Sequence, residues 1–156
     1  MLNEFIKNYK RKIEVPFYNA SGELEKQELH IKPLSLSDLM WIMDDEVCGY
    51  YLAKIFDGLD ILEGRKDEVK ERITAILLNS DYSKLLIAVI AASTNVKMNE
   101  TLLPLKQKPE IAGMLPIELQ IEILNHILEL SLPLDISKFQ SNIKKIMAHL
   151  GINQKV

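Results

Sequence analysis

The sequence predicts a mainly α-helical protein, a compact bundle of about six helices preceded by an N-terminal β-hairpin. Apolar residues recur at helical spacing over most of the chain after residue 34, whereas residues 12–32 alternate between apolar and polar positions as strands do. The composition agrees with one globular domain, because the 156 residues are 47% hydrophobic and 26% charged. We therefore predict a single domain that spans residues 1–156.

The hairpin is predicted from two extended segments that are joined by turn residues. Their apolar positions are Ile13, Val15, Phe17, Leu29 and Ile31. Gly22 lies in the intervening turn, where glycine adopts a positive φ angle without strain. Because proline lacks an amide donor, Pro16 predicts that the first strand lies at a sheet edge or contains a bulge.

The helical body is predicted over residues 35–150. Ser35 stands three residues before Asp38, a spacing typical of the capping box at a helix start. Pro116 suits the first turn of a later helix, where its missing amide has no partner to lose. Residues 94–114 show no clear period, which predicts a long connection with room for one short helical turn. The predicted core residues are Leu86, Val89, Ile90, Ile121, Leu124, Ile127, Leu128 and Ile143.

No pattern in the sequence predicts a catalytic site. Glu122, His126 and Glu129 would share one face of a helix, and these residue types bind zinc or iron. A metal site of that kind needs a second such group on a facing helix, which the sequence lacks, so we interpret the three as a solvated face. Cys48 has no base near it in sequence, and no phosphate-binding glycine loop or nucleophile elbow occurs. We expect no enzyme activity, no cofactor and no bound metal, and a metal-dependent enzyme is the third-ranked hypothesis.

Charge and hydropathy restrict the classes of partner. The formal net charge of -3 argues against a protein dedicated to duplex DNA, which usually carries a basic excess. A basic arm at residues 7–12 leaves RNA binding as a weaker alternative. A single cysteine cannot form an internal disulfide, and no apolar run reaches the roughly 18–20 residues that cross a bilayer. We expect an intracellular protein that binds neither nucleic acid nor membrane.

The order of the predicted elements is the most informative pattern. A strand pair leads into a helix start of the form Leu-x-Leu-x-Asp-Leu, and a later helix ends in an apolar residue followed by Phe. These positions are Leu34, Leu36, Asp38 and Leu39, and then Ile55 and Phe56. The arrangement resembles, over most of the chain, the tail assembly chaperones of long-tailed bacteriophages, which are also called pre-tape-measure proteins.

The resemblance implies a small helical protein that coats the tape measure protein and recruits tail tube subunits. It also implies action in the cytoplasm of the host bacterium and absence from the mature virion. A small helical regulatory or adaptor protein is the alternative. A chaperone of this type needs exposed apolar side chains rather than a polarised pocket.

We expect partners to bind at three groups of residues. The first helix contributes Asp38, Met40, Trp41 and Met43, the hairpin contributes Val15 and Phe17, and an acidic stripe contributes Glu118, Glu122 and Glu129. Methionine is flexible and polarizable, which suits contact with varied partner helices, and the acidic stripe suits a basic helical partner. The alternatives are that Met40, Trp41 and Met43 belong to the core and that the stripe is an ordinary charged surface.

The hairpin also predicts self-association, because a lone hairpin leaves an unpaired strand edge. We expect a homo-oligomer whose contacts involve the hairpin or residues 38–43. The alternative is a monomer in which Pro16 and the charges beside it protect the edge, as edge strands of natural proteins often are protected.

Overall fold

A four-stranded antiparallel sheet and seven α-helices make up the described part of the chain, which is residues 10–18, 20–57, 63–98 and 100–149 of a computed structural model. The strands are β1 (Arg11–Tyr18), β2 (Leu24–Ile31), β3 (Thr94–Met98) and β4 (Thr101–Pro104). The helices are α1 (Leu36–Met43), α2 (Glu46–Asp57), α3 (Lys66–Leu77), α4 (Ser83–Ser93), α5 (Glu110–Met114), α6 (Ile117–Ser131) and α7 (Ile136–His149). Short 3-10 helices over Ser80–Tyr82 and Leu105–Gln107 precede α4 and α5. Helices dominate, as predicted, but the fold is mixed α/β rather than a helical bundle behind one hairpin.

The predicted hairpin is confirmed as the first half of the sheet. β1 pairs with β2 in antiparallel register, with Ile13 opposite Leu29. Gly22 takes a φ angle of +79°, the left-handed conformation expected of a turn glycine. The strand order is β1-β2-β3-β4, so β1 forms one edge of the sheet and Pro16 lies in an edge strand, as predicted.

The expected long connection over residues 94–114 is wrong. This segment forms β3 and β4, which complete the sheet, followed by a 3-10 turn and the short helix α5. α4 ends at Ser93 and β3 begins at Thr94 without an intervening loop, and Thr94 pairs with Ile31 of β2. Strands of five and four residues are too short to show a clear period of two. Pairing of β3 with β2, and of β4 with β3, determines their structure rather than local pattern.

The centre of the molecule is α4, which is buried on almost every side. Eight of its eleven residues are buried, among them Leu85 and Ile90 at 0% exposed. This agrees with its apolar sequence, which shows no polar face. No single helix in the described residues is long and apolar enough to span a membrane, and α3 and residues 80–93 reach that length only as a pair bent by 86°.

All but one of the predicted core residues are buried, and the exception is Ile121, which is 38% exposed. Apolar residues surround most of α6, so the helical period alone does not identify the side that packs inward. The buried stripe consists of Leu119, Ile123, Leu124, Ile127 and Leu128. Ile121 instead lies four residues from the exposed Ile117, on the same side of the helix. Pro116 stands directly before α6, one position earlier than predicted.

Leu124→Ala should lower the free energy of unfolding by about 2–5 kcal/mol, because removing a fully buried side chain leaves a cavity. Ile121→Ala, the matched control on the same helix, should lower it by about 1 kcal/mol or less, because its side chain is already exposed. Urea unfolding followed by circular dichroism measures both values. Equal losses in the two variants would place both residues at the same depth and contradict the structure.

Candidate protein-interaction site

The carboxylate of Asp38 is buried at the start of α1, with 2% of its side chain exposed. Its Oδ2 atom accepts hydrogen bonds from Lys32 Nζ at 2.6 Å and from the Ser35 amide at 2.9 Å. Its Oδ1 atom lies 2.5 Å from Lys106 Nζ. The Ser35 hydroxyl accepts from the Asp38 amide at 3.2 Å, which completes the predicted capping box. These four residues, which we call the Asp38 cluster, join the end of β2, the start of α1 and the 3-10 helix before α5.

Burial and hydrogen bonding have opposite effects on the pKa of Asp38. Burial raises the pKa of its carboxyl group, but the bonds from Lys106, Lys32 and the Ser35 amide lower that pKa by more, so the net value lies below the ordinary one. The carboxylate is therefore ionised at neutral pH, between two lysine ammonium groups. Asp38, one of the partner contacts that the sequence predicts, is buried in the structure.

Trp41, another expected partner contact, is partly buried beside the same cluster. Lys106 Nζ lies 5.5 Å from the centre of a Trp41 ring, within the range of a cation–π contact. Lys106 is therefore held between the indole of Trp41 and the carboxylate of Asp38. Trp41 and Met43 both pack against the core, so of these expected contacts on α1 only Met40 is an exposed side chain.

The exposed side of α1 carries Leu36 and Met40, each 52% exposed. They are four residues apart and therefore lie one above the other on one helix face. Met43 lies against α2, where a Cβ atom added at Gly49 would stand 3.1 Å from the Met43 carbonyl oxygen. The close approach of the two helices therefore favours a residue without a side chain at Gly49.

α2 also exposes apolar side chains, with Val47 at 44% and Tyr50 at 62%. They are three residues apart and share one helix face. The Tyr50 ring meets Tyr51 edge to face at a centroid distance of 5.1 Å, and Tyr51 contacts Tyr82 at 4.7 Å, so aromatic packing holds Tyr50 in place. We give the name α1–α2 apolar face to the exposed apolar side chains of these two helices, which are Leu36 and Met40 on α1 and Val47 and Tyr50 on α2.

Asp45 fixes the turn between α1 and α2. Its Oδ1 atom accepts from the Cys48 amide at 3.0 Å, and its Oδ2 atom pairs with Lys84 Nζ of α4 at 3.0 Å. The Cys48 amide and the Lys84 ammonium lower the pKa of Asp45 to about 2. An aspartate three residues before the bonded amide, at a helix start, is the sequence signal that could have identified this cap.

The thiol of Cys48 is buried beneath this turn. Burial, followed by the nearby Asp45 carboxylate, raises its pKa to about 11. The thiol therefore stays protonated at neutral pH, and a protonated thiol is a poor nucleophile and a poor metal ligand. Its place in the core cluster makes it a packing residue.

Val15, an expected contact of the hairpin, lines an apolar groove of about 430 Å³ between the sheet and residues 103–115. Other residues that line the groove include Leu29, Val96, Leu103 and Ile111. Val15 is partly buried and packs against the core. The side chain of Phe17 lies outside the described part of the structure.

The expected acidic stripe is divided in the structure. Glu129 pairs with Lys66 Nζ at 3.3 Å and with Lys70 Nζ at 3.0 Å, and these contacts tie α6 to α3. Glu118 and Glu122 are both exposed on α6, four residues apart. This pair is therefore the part of the stripe that remains open to a partner.

The residues considered as metal ligands do not come together. Glu129 instead pairs with Lys66 and Lys70 of α3. Within the ranges that the structure describes, no group of three or more His, Cys, Asp or Glu side chains could hold a metal ion.

No protein-family model, curated protein or solved structure matches this chain. The resemblance to tail assembly chaperones therefore stays a prediction from the sequence.

Asp45→Asn should make the free energy of unfolding less dependent on pH in the acid range. Asparagine can keep the cap, but it cannot ionise. The folded pKa of about 2 lies below the ordinary value of 3.8, so ionised Asp45 stabilises the fold above the ordinary pKa, and this contribution is lost as the pH falls toward 2. The wild-type and variant stability curves should therefore converge on acidification in urea unfolding experiments. Parallel curves would contradict the lowered pKa.

Proposed function

We propose that the protein is a tail assembly chaperone of a long-tailed bacteriophage, which binds the tape measure protein and recruits tail tube subunits. It acts in the cytoplasm of the host bacterium and is absent from the mature virion. Helical segments of the tape measure protein bind to the α1–α2 apolar face. The proposal assigns no catalytic residue, cofactor or metal, and no binding to nucleic acid or membrane.

The main support for this proposal is that α1 exposes apolar side chains while the buried Asp38 carboxylate anchors the start of the helix. Leu36 and Met40 are each 52% exposed, while Asp38, which lies between them in sequence, is buried and paired with two lysines. A surface that is ordered before binding loses less conformational entropy when a partner docks. Such a preformed face supports repeated contact with many similar segments of one long partner.

The side chains of this face suit a helical partner. Methionine has an unbranched, polarizable side chain that adapts to irregular surfaces, as Met40 must if it meets different segments. Tyr50 offers a large apolar ring that loses little conformational entropy on binding. Amphipathic helices present apolar residues at spacings of three and four, which matches the spacing of Leu36 with Met40 and of Val47 with Tyr50.

Glu118 and Glu122 supply a second, electrostatic contact. Exposed charges of one sign speed the encounter with an oppositely charged partner more than they strengthen the final complex. Basic segments of a partner would therefore be attracted to α6, and raising the salt concentration would weaken that attraction.

Met40→Lys should weaken binding to the tape measure protein. The test requires a very long open reading frame, immediately downstream of the gene, that encodes a helical protein. The product of that reading frame is co-expressed with this chain. The wild-type chain should keep that product soluble and co-purify with it. Lysine at position 40 places a charge within an apolar contact and should weaken the complex by about tenfold or more.

Met114→Lys is the matched control, because Met114 is 79% exposed on α5 and is not part of the α1–α2 apolar face. This variant should bind like the wild type, and circular dichroism should show that both variants remain folded. The absence of such a reading frame, failure of its product to co-purify with the wild-type chain, or equal binding by the two variants would contradict the proposal.

A further inference from the structure

The outer edge of β1 is the longer of the two sheet edges in the described residues. β1 has eight residues and pairs there with β2 alone, whereas β4, the opposite edge, has four residues and ends at Pro104. An exposed strand edge offers its free amide and carbonyl groups to another strand. The register of the sheet identifies which residues of β1 carry these free groups.

Hydrogen bonds of neighbouring strand residues point to opposite sides, and this alternation can be followed across the sheet. The Lys32 amide donates to the Ser93 carbonyl at 2.9 Å, so even-numbered residues of β2 face β3 and odd-numbered residues face β1. Leu29 lies opposite Ile13, so the odd-numbered residues of β1 face β2. The even-numbered residues of β1 therefore direct their backbone groups to the free edge.

Lys12, Glu14 and Pro16 are the central positions with outward-facing backbone groups. Pro16 has no amide hydrogen, so its outward position explains how a proline fits within a strand that pairs fully with β2. Lys12 and Glu14 have highly exposed side chains, at 66% and 65%. Ile13 and Val15, on the opposite face of the strand, pack against the core.

We propose that two copies of this chain pair through β1 in antiparallel orientation, about a two-fold axis that passes between their Ile13 residues. In this register, Lys12 of each copy lies opposite Glu14 of the other, and these residues exchange backbone hydrogen bonds. Opposite charges face each other in both symmetry-related pairs, which stabilises the strand pair. The two sheets then form one continuous sheet.

The neighbouring two-fold registers are less favourable. A two-fold axis at Lys12 or at Glu14 places two like charges directly opposite each other, which destabilises a strand pair. Centring on Val15 places Pro16 opposite Glu14, and the missing amide then removes hydrogen bonds close to the axis. Centring on Ile13 leaves Pro16 at the end of the paired segment, opposite Lys10.

Charges within each sheet favour the same register. Glu14 lies directly opposite Glu28 in the hairpin, which brings two carboxylates together. Glu28 is compensated by Lys12 at 3.1 Å and by Lys97 at 3.7 Å, while Glu14 pairs with Lys26 at 3.5 Å. Lys12 of a second copy would bring a further cation beside Glu14.

Charge reversal tests this register. The wild-type chain should dimerise reversibly in sedimentation equilibrium at micromolar and higher concentrations. Lys12→Glu and Glu14→Lys should each raise the dissociation constant about tenfold or more, because each change creates two like-charge pairs across the interface. The double variant K12E/E14K restores opposite charges and should dimerise within about threefold of the wild type. Glu71→Lys on α3, a control for the change in net charge, should dimerise like the wild type.

Cysteine substitution tests the position of the axis. Ile13 faces its own copy in a non-hydrogen-bonded pair, where Cβ atoms lie about 4.5–5.5 Å apart and a disulfide needs only a small adjustment. Ile13→Cys should form a covalent dimer on mild oxidation. Glu14→Cys should not, because the two copies of residue 14 do not lie opposite each other in this register. Cys48 is 2% exposed, so the wild-type chain should show no such product.

This inference does not depend on the proposed function, because β1 is separate from the α1–α2 apolar face. A wild-type chain that stays monomeric would overturn it and would show that Pro16 and the flanking charges protect the edge. A dimer that is insensitive to both single charge reversals, Lys12→Glu and Glu14→Lys, or that cross-links at position 14 instead of position 13, would overturn the register.

Discussion

The buried carboxylate of Asp38 is the interaction on which the arrangement of the sheet and the helices depends. Moving a carboxylate out of water is unfavourable unless charged partners and hydrogen bonds replace the water. Lys32, Lys106 and the Ser35 amide replace it here. Because these groups belong to three separate segments, the carboxylate is stabilised only when the end of β2, the start of α1 and the 3-10 helix before α5 meet in one arrangement.

The short segment between β2 and α1 extends this constraint to the rest of the fold. The Lys32 amide donates to the Ser93 carbonyl, where α4 meets β3, at 2.9 Å. The Leu34 amide donates to the Ser131 hydroxyl at the end of α6, also at 2.9 Å. Lys32 and Leu34 thus connect the sheet, the central helix α4 and α6 around the Asp38 cluster. α1, which carries Leu36 and Met40, begins at this cluster.

Features that depend on neighbouring residues could be predicted from the sequence, and features that depend on distant contacts could not. The capping box of Ser35 and Asp38 and the first hairpin are local, and both are confirmed. Lys106 is distant from Asp38 in sequence and has no neighbour that marks it as a buried-charge partner. β3 likewise depends on pairing with the distant β2, and β4 in turn pairs with β3. For the candidate site, spacing identified the helix that carries Met40, but only packing shows that Trp41 lies inward.

The free energy of unfolding of Asp38→Asn tests the central claim most directly. Asparagine has nearly the same shape as aspartate, but it leaves two lysines without their shared counter-ion. We predict that this variant loses about 2–5 kcal/mol of unfolding free energy in urea unfolding. Asp67→Asn, at an exposed aspartate of α3, should lose about 1 kcal/mol or less. A loss in Asp38→Asn no larger than that of the Asp67 control would contradict the claim that the fold depends on this carboxylate.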